Sequence, residues 1–485
     1  MYGDRLSALD TSFLHLEDAS SHMHVASIAI FDGDPPPYEE LLADIERRLH
    51  LVPRYRQRLA TVPFGQGRPV WVDDPSLNLR YHVRSTALAP PGSEEQLKAL
   101  AGRVFSQRLD RDKPLWEIWL AEGLEGDRFA LLSKTHHALV DGVSGVDIVT
   151  ILFDASPEPA APPDPGEPWV PRPLPSGAQL LGEALLERAT VPGEAVRTAR
   201  AVLRAPRRAV GTLRGAAAGI GAMAGTGLRS ARRTPYNAAI GSHRRFTWVR
   251  TNLADVKSIK NELGGTVNDV VLSTVAGALG RHLRRRGEET DGLELRAMVP
   301  VSVRTDLERG ALGNRVAAMM APLPVWCQEP VARLELVKER MNQLKAGSQA
   351  VGAEVLTQIG GFAPPTILGQ AARLMTRRLV FNLVVTNVPG PQFPLYLQGR
   401  EMLDPMPMVP LAANQGLGIA LMSYNGRINF GLVGDYDLLW DLDDLARDLR
   451  ESLAELAAEA GVRLSEPAES KPGKRAQARP EPQRP

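Results

Sequence analysis

The heptad His136-His137-Ala138-Leu139-Val140-Asp141-Gly142 gathers the residue types of a proton-transfer site. Imidazole titrates near neutrality, which suits a general base. Asp141 is placed to order the loop through a salt bridge, and Gly142 lets the chain turn tightly into the next element. The heptad follows a predicted strand at 129–134 and precedes a predicted helix at 143–152. Strand ends of α/β sheets open into clefts, so a histidine there can face a ligand. Two histidines and an aspartate also allow a metal ion. Adjacent residues of a strand point to opposite sides, however, so no metal is expected. Around Ser144 the chain reads Gly142-Val143-Ser144-Gly145-Val146, which breaks the Gly-x-Ser-x-Gly elbow of a serine hydrolase. Cys327, the single cysteine, has no evident activating neighbour and reads as inert. One cysteine also excludes an intramolecular disulfide and a cysteine-cluster zinc site.

The elements that must carry this heptad fall into two folded parts. The 485 residues exceed the ~150 of a typical domain, which predicts two or three units. Residues 1–155 alternate strand and helix, with a predicted strand at 24–31 and an amphipathic helix at 39–50. Nine prolines between Pro157 and Pro175 mark a boundary. From Arg188 to Arg233 there are ten arginines and a single acid, Glu194, so 156–243 reads as a Pro-rich then Arg-rich arm. This arm is either an interdomain connector or a surface that rests on anionic lipid headgroups. A second folded part, 244–462, shows strands near 245–252, 295–303 and 379–387. Its predicted helices lie at 256–263, 268–285, 333–346 and 443–458, and a hairpin is predicted around Asn425-Gly426. Residues 463–485 are rich in Pro, Glu, Lys and Arg and read as a disordered tail. No stretch reaches the ~18 apolar residues of a membrane span, and the opening MYGDRLSALD lacks the pattern of a signal peptide. With 57 basic and 56 acidic residues the net charge is +1, which argues against a protein that coats nucleic acid.

HHALVDG resembles the signature of the CoA-dependent acyltransferase superfamily, which includes chloramphenicol acetyltransferase and peptide-synthetase condensation domains. Further segments are similar to the bacterial wax ester synthase/acyl-CoA:diacylglycerol acyltransferases in particular. They are Pro114-Leu115-Trp116-Glu117, Asn268-Asp269-Val270-Val271-Leu272, Asn387-Val388-Pro389-Gly390-Pro391, the opening LSALDTSFLHLED and the closing SYNGRINFGLVGD. The resemblance runs from Leu6 to Val462. It implies an α/β fold of two chloramphenicol-acetyltransferase-like domains, each a mixed sheet flanked by helices, joined by a helical linker. It also implies an O-acyltransferase that moves a long-chain acyl group from acyl-CoA to diacylglycerol, a long-chain alcohol, or both. By the same resemblance His137 is the general base, His136 supports it, and Asp141 and Gly142 are structural. Arg304 is the expected cation for Asp141, because a buried carboxylate needs a cation or several donors.

Other segments keep two readings. Asn268 and Asp269 either cap a helix or serve the active site, with Asn268 bonded near the reacting carbonyl and Asp269 supporting. Pro114–Glu117 either packs beside the cleft or touches substrate. Asn387–Pro391 forms a rigid turn or allows close approach of pantetheine. Met402, Met406 and Met408 pack in the core or line an acyl channel. No permanently bound cofactor is expected, since acyl-CoA is a co-substrate. The expected partners are acyl-CoA, the acceptor lipid, and a membrane or lipid-inclusion surface reached peripherally from the cytoplasm. The alternatives are a condensation-type enzyme with a carrier-bound donor and a non-catalytic lipid-surface protein.

Overall fold

The computed structural model describes residues 4–140, 151–158, 168–187, 230–302, 316–346 and 379–465. Three short strands, β1 (Asp4–Arg5), β3 (Gln57–Ala60) and β4 (Val70–Asp73), form a small sheet in the order β1-β4-β3. The principal sheet of the first lobe is built on β2 (His24–Asp32), β5 (Val83–Ala87), β6 (Trp116–Leu124) and β7 (Arg128–His136). Strand β7 lies between β2 and β6, antiparallel to both, and only the β5–β6 pair is parallel. Alternation along β7 explains its position. Phe129 and Leu131 face Leu41 and Ile45 of α2 (Tyr38–Arg48). Ala130 and Leu132 face the other way, towards Leu97, Leu100 and Val104. Those three residues belong to α4 (Glu94–Phe105), whose first turn is fixed by a Ser93–Gln96 capping box.

The second lobe carries the six-stranded sheet β10-β9-β11-β14-β15-β8. Its strands are β8 (Arg244–Asn252), β9 (Glu294–Ser302), β10 (Val316–Pro324), β11 (Leu383–Pro389), β14 (Leu417–Tyr424) and β15 (Arg427–Asp435). It is mixed, because β11 runs parallel to both β9 and β14. The predicted hairpin is present, and Asn425 and Gly426 take φ of 43° and 79°, as its two-residue turn requires. Among the described residues four helices accompany this sheet: α6 (Leu253–Leu263), α7 (Val267–Arg285), α8 (Pro330–Ala346) and α9 (Leu442–Glu459). Val275 and Leu279 of α7 meet Leu449 and Leu456 of α9 over Ile419 and Phe430.

The lobes interlock. Residues 396–408 lie in the second part of the sequence, yet β12 (Tyr396–Leu397) and β13 (Arg400–Met408) complete the first lobe's sheet, in the order β12-β13-β2-β7-β6-β5. Sequence periodicity missed β13 because Pro405 and Pro407 interrupt it. These prolines are two apart, so both missing N–H groups fall on one side of the strand. They pair with Ala29 and Ser27 of β2, and their unbonded side faces the edge, where β12 covers only Arg400 and Glu401. Met402, Met406 and Met408 are buried core residues of β13. Strand β13 crosses so close to β15 that a Cβ on Gly431 would lie 1.8 Å from the Pro407 carbonyl oxygen. Phe246, Trp248 and Val433 of the second lobe share one core with Ile28, Leu132 and α4. Beside it, Arg250 donates to Glu94 (2.8 and 2.9 Å) and Asp404 (2.9 Å), and Arg128 also reaches Glu94 (3.1 Å). Of the Arg-rich arm, residues 188–229 lie outside the described residues, as does the tail from 466. Among the described residues no helix is long and apolar enough to cross a membrane.

Candidate active site

The central strand β7 delivers both histidines to its end, where a single helical turn, α5 (His137–Val140), begins. The backbone is pinned there on two sides. His136 N–H donates to the Leu115 carbonyl (2.9 Å), and His137 N–H donates to the Met23 carbonyl (2.8 Å). The PLWE segment thus supports the site by packing. Leu115 and Trp116 are fully buried, the Trp116 indole donates to the Tyr55 carbonyl (2.9 Å), and Glu117 faces the buried Lys134 (3.3 Å).

Helix α1 (Ala8–Leu16) lies against α5 and supplies two further contacts. Ser7 starts it, accepting from Asp10 N–H (3.0 Å). From its last turn, Phe13 stacks on the His137 ring at 4.0 Å between centroids, with the planes 24° apart. Just past its end, Glu17 accepts from His136 Nε2 at 2.8 Å.

These contacts separate the two imidazoles. Ala138 N–H donates to His136 Nδ1 at 3.1 Å, so Nδ1 is unprotonated and Nε2 carries the hydrogen given to Glu17. Both His136 nitrogens are therefore committed, and the residue is 1% exposed. Burial holds its imidazole below the usual value, against the opposing pull of Glu17. His137 is half-buried, and its ring is set by the Phe13 stack. Glu17 also receives Arg108 (2.8 Å) and has Arg111 at 3.5 Å. Burial alone would raise the Glu17 carboxyl. The hydrogen bond from His136, with the nearby Arg111 and Arg108 cations, outweighs it and brings the group from 4.5 down to about 2. Glu17 was not singled out as a site residue from sequence. It stands 119 residues from His136, and its only local signal was its place in the LSALDTSFLHLED segment.

Asp141, Gly142 and Arg304 lie outside the described residues. Asp269 caps α7: its Oδ2 accepts from Thr266 N–H (2.8 Å) and the Thr266 hydroxyl (2.7 Å). Asn268 is half-buried in the first turn of the same helix, in the other lobe. Gly390 closes a turn against β14, donating to the Ser423 carbonyl at 2.8 Å, and a Cβ there would meet that oxygen at 2.4 Å. Cys327 is buried, and burial raises its thiol above the ordinary value. Among the described residues no three His, Cys, Asp or Glu side chains are grouped to hold a metal ion.

Comparison with known proteins gives this geometry its context. Residues 6–271 match the wax ester synthase/diacylglycerol acyltransferase catalytic domain, and residues 312–457 match the C-terminal domain of the same family. A Mycobacterium tuberculosis protein named as a probable diacylglycerol O-acyltransferase is 33% identical over 467 residues, 94% of this chain and 96% of the relative. The solved wax ester synthase/diacylglycerol acyltransferase from Marinobacter aquaeolei VT8 superposes with a TM-score of 0.67 at 27% identity, covering 95% of this chain and all of that one. The starter condensation domain of rhizomide synthetase shares the fold, with a TM-score of 0.55 at 12% identity over 96% of this chain and 98% of that one. The chain belongs to the wax ester synthase/diacylglycerol acyltransferase family.

Proposed function

We propose that this protein transfers a long-chain acyl group from acyl-CoA to the hydroxyl of diacylglycerol, of a long-chain alcohol, or of both, with His137 as general base. The observation that carries the assignment is the commitment of both His136 nitrogens, to Glu17 and to Ala138. The neighbouring imidazole, on a pinned backbone and partly exposed, is the one positioned to take a substrate proton. His137 removes the hydroxyl proton as the alcohol oxygen bonds to the thioester carbonyl carbon. The tetrahedral adduct then collapses, the carbon–sulfur bond breaks, and the departing thiolate takes the proton back from the imidazolium. The products are the ester and free CoA, with no acyl-enzyme and no resident cofactor.

Asp141 holds the loop after His137 in this reading, with Arg304 as its cation and Gly142 making the turn. Asn268 donates to the substrate carbonyl, and Asp269 fixes the helix start on which Asn268 sits. Lipid substrates are met at a membrane or lipid-inclusion surface, to which the protein binds peripherally on the cytoplasmic side. The test is thiol release from palmitoyl-CoA by purified protein, with diacylglycerol and hexadecanol offered separately. Release that requires one of these acceptors, with the matching ester formed, supports the reading and names the acceptor. Absence of release with either, from folded protein, overturns it.

A further inference from the structure

The small sheet β1-β4-β3 is wrapped by residues 168–187, which end in a helix over 177–187. Leu180 and Ala184 pack inward on Val62 and Val70. Glu187 pins the helix end through Arg5 (2.9 Å) and Arg68 (3.0 Å). The opposite face of this helix should be polar in a surface helix of a globular protein. It is not: Leu186 is 68% exposed and Leu185 52%. Beside the helix, where Pro63 approaches Gly177, Phe64 stands 86% exposed on a left-handed backbone with φ of 58°. Trp169, Val170 and Leu174 are exposed on the same wrapping segment. This one region therefore holds six of the twelve exposed large apolar side chains found among the described residues. Such concentration marks an interaction surface rather than chance exposure.

The charge beside the patch identifies the partner. The Arg56 guanidinium lies 5.0 Å above the Trp169 ring, and Arg172, paired with Asp73 at 3.3 Å, keeps 66% of its side chain exposed. Directly after Glu187 the sequence enters the stretch Arg188–Arg233, with ten arginines against one glutamate. An exposed apolar patch that the sequence continues into a run of cations matches a headgroup–acyl boundary carrying negative charge. A second copy of the same surface would set arginines against arginines.

We infer that the face formed by Phe64, Leu185 and Leu186 inserts into an anionic lipid surface and docks the first lobe on it. This inference rests on the lipid-surface reading above and names the side chains that enter the lipid. The protein is floated with phosphatidylcholine vesicles made with and without phosphatidylglycerol. The wild type is expected to float with the anionic vesicles. The Leu185→Ser/Leu186→Ser double variant is expected to bind them roughly tenfold more weakly, and Trp440→Ser, an exposed apolar change in the other lobe, is expected to bind as wild type. A fluorophore on Phe64→Cys is expected to shift to the blue when anionic vesicles are added, a readout independent of whether the double variant folds. Unchanged flotation of the folded double variant, or a fluorophore that stays in water while the protein floats, overturns the inference and leaves the lipid-surface reading intact. Wild-type protein that binds no vesicle overturns both. Patch variants that alter self-association but not flotation reassign the face to a contact between copies.

Discussion

Replacing Glu17 by glutamine tests the arrangement that separates the two histidines. The Glu17 side chain is 4% exposed and accepts from His136 and Arg108, with Arg111 close by. Its carboxyl is held at about 2 rather than 4.5, which at ~1.4 kcal/mol per unit amounts to about 3 kcal/mol in favour of the folded state. The sign follows from the depressed value. The contribution is complete above 4.5, where the carboxyl is ionised whether folded or unfolded, and it disappears as pH falls towards 2. Glu17→Gln is therefore expected to lower stability by about 3 kcal/mol at neutral pH, with a smaller deficit below pH 4.5. For a lobe of this size that corresponds to roughly 6–12 °C in Tm. Glutamine still offers His136 an oxygen, whereas Glu17→Ala does not. As a positioning residue acting through His136 on the turn that carries His137, Glu17 should affect kcat and leave KM for acyl-CoA nearly unchanged. The alanine variant is expected to lose up to ~10²-fold in kcat, with glutamine in between. Denaturant unfolding across pH and steady-state kinetics read both effects. An alanine variant with wild-type kcat, or a glutamine variant whose deficit does not shrink in acid, refutes this reasoning.

Further predictions concern the interlock and the cysteine. Arg250→Ala takes one of two cations from Glu94 and from the buried Asp404, which keep Arg128 and Arg427. It should cost about 1.5–3 kcal/mol in denaturant unfolding, and retained stability would show that the ion cluster does not hold the lobes. Gly431→Ala places a methyl group against the Pro407 carbonyl. We expect loss of soluble folded protein on expression, and a well-folded alanine variant with wild-type Tm would contradict the β13 crossing. Buried Cys327 should react with a thiol reagent only after denaturation, and rapid labelling of native protein would contradict its placement.

Much of this structure was readable from local pattern. β7 and the hairpin at Asn425-Gly426 follow from alternation and turn chemistry. The start of α7 was readable from Asn268 and Asp269, although the N-cap is Thr266, with Asp269 answering it three residues on. What escaped was non-local. Glu17 meets His136 across 119 residues, and no periodicity encodes that meeting. Strand β13 carries two prolines that argue against a strand until its edge position is known, and the methionines beside them, read either as core or as a channel lining, are buried in the core. The close approach at Gly431 depends on the crossing of β13 over β15, which no window of sequence contains.

The central claim, that His137 and not His136 is the base, is tested most directly by comparing acceptor-dependent thiol release from palmitoyl-CoA in His137→Ala and His136→Gln. His137 is half-buried, so its alanine variant should keep the wild-type fold by circular dichroism while losing ~10²–10⁴-fold in rate. His136→Gln should lose stability and keep measurable turnover. A folded His137→Ala enzyme that turns over at nearly the wild-type rate would contradict the account.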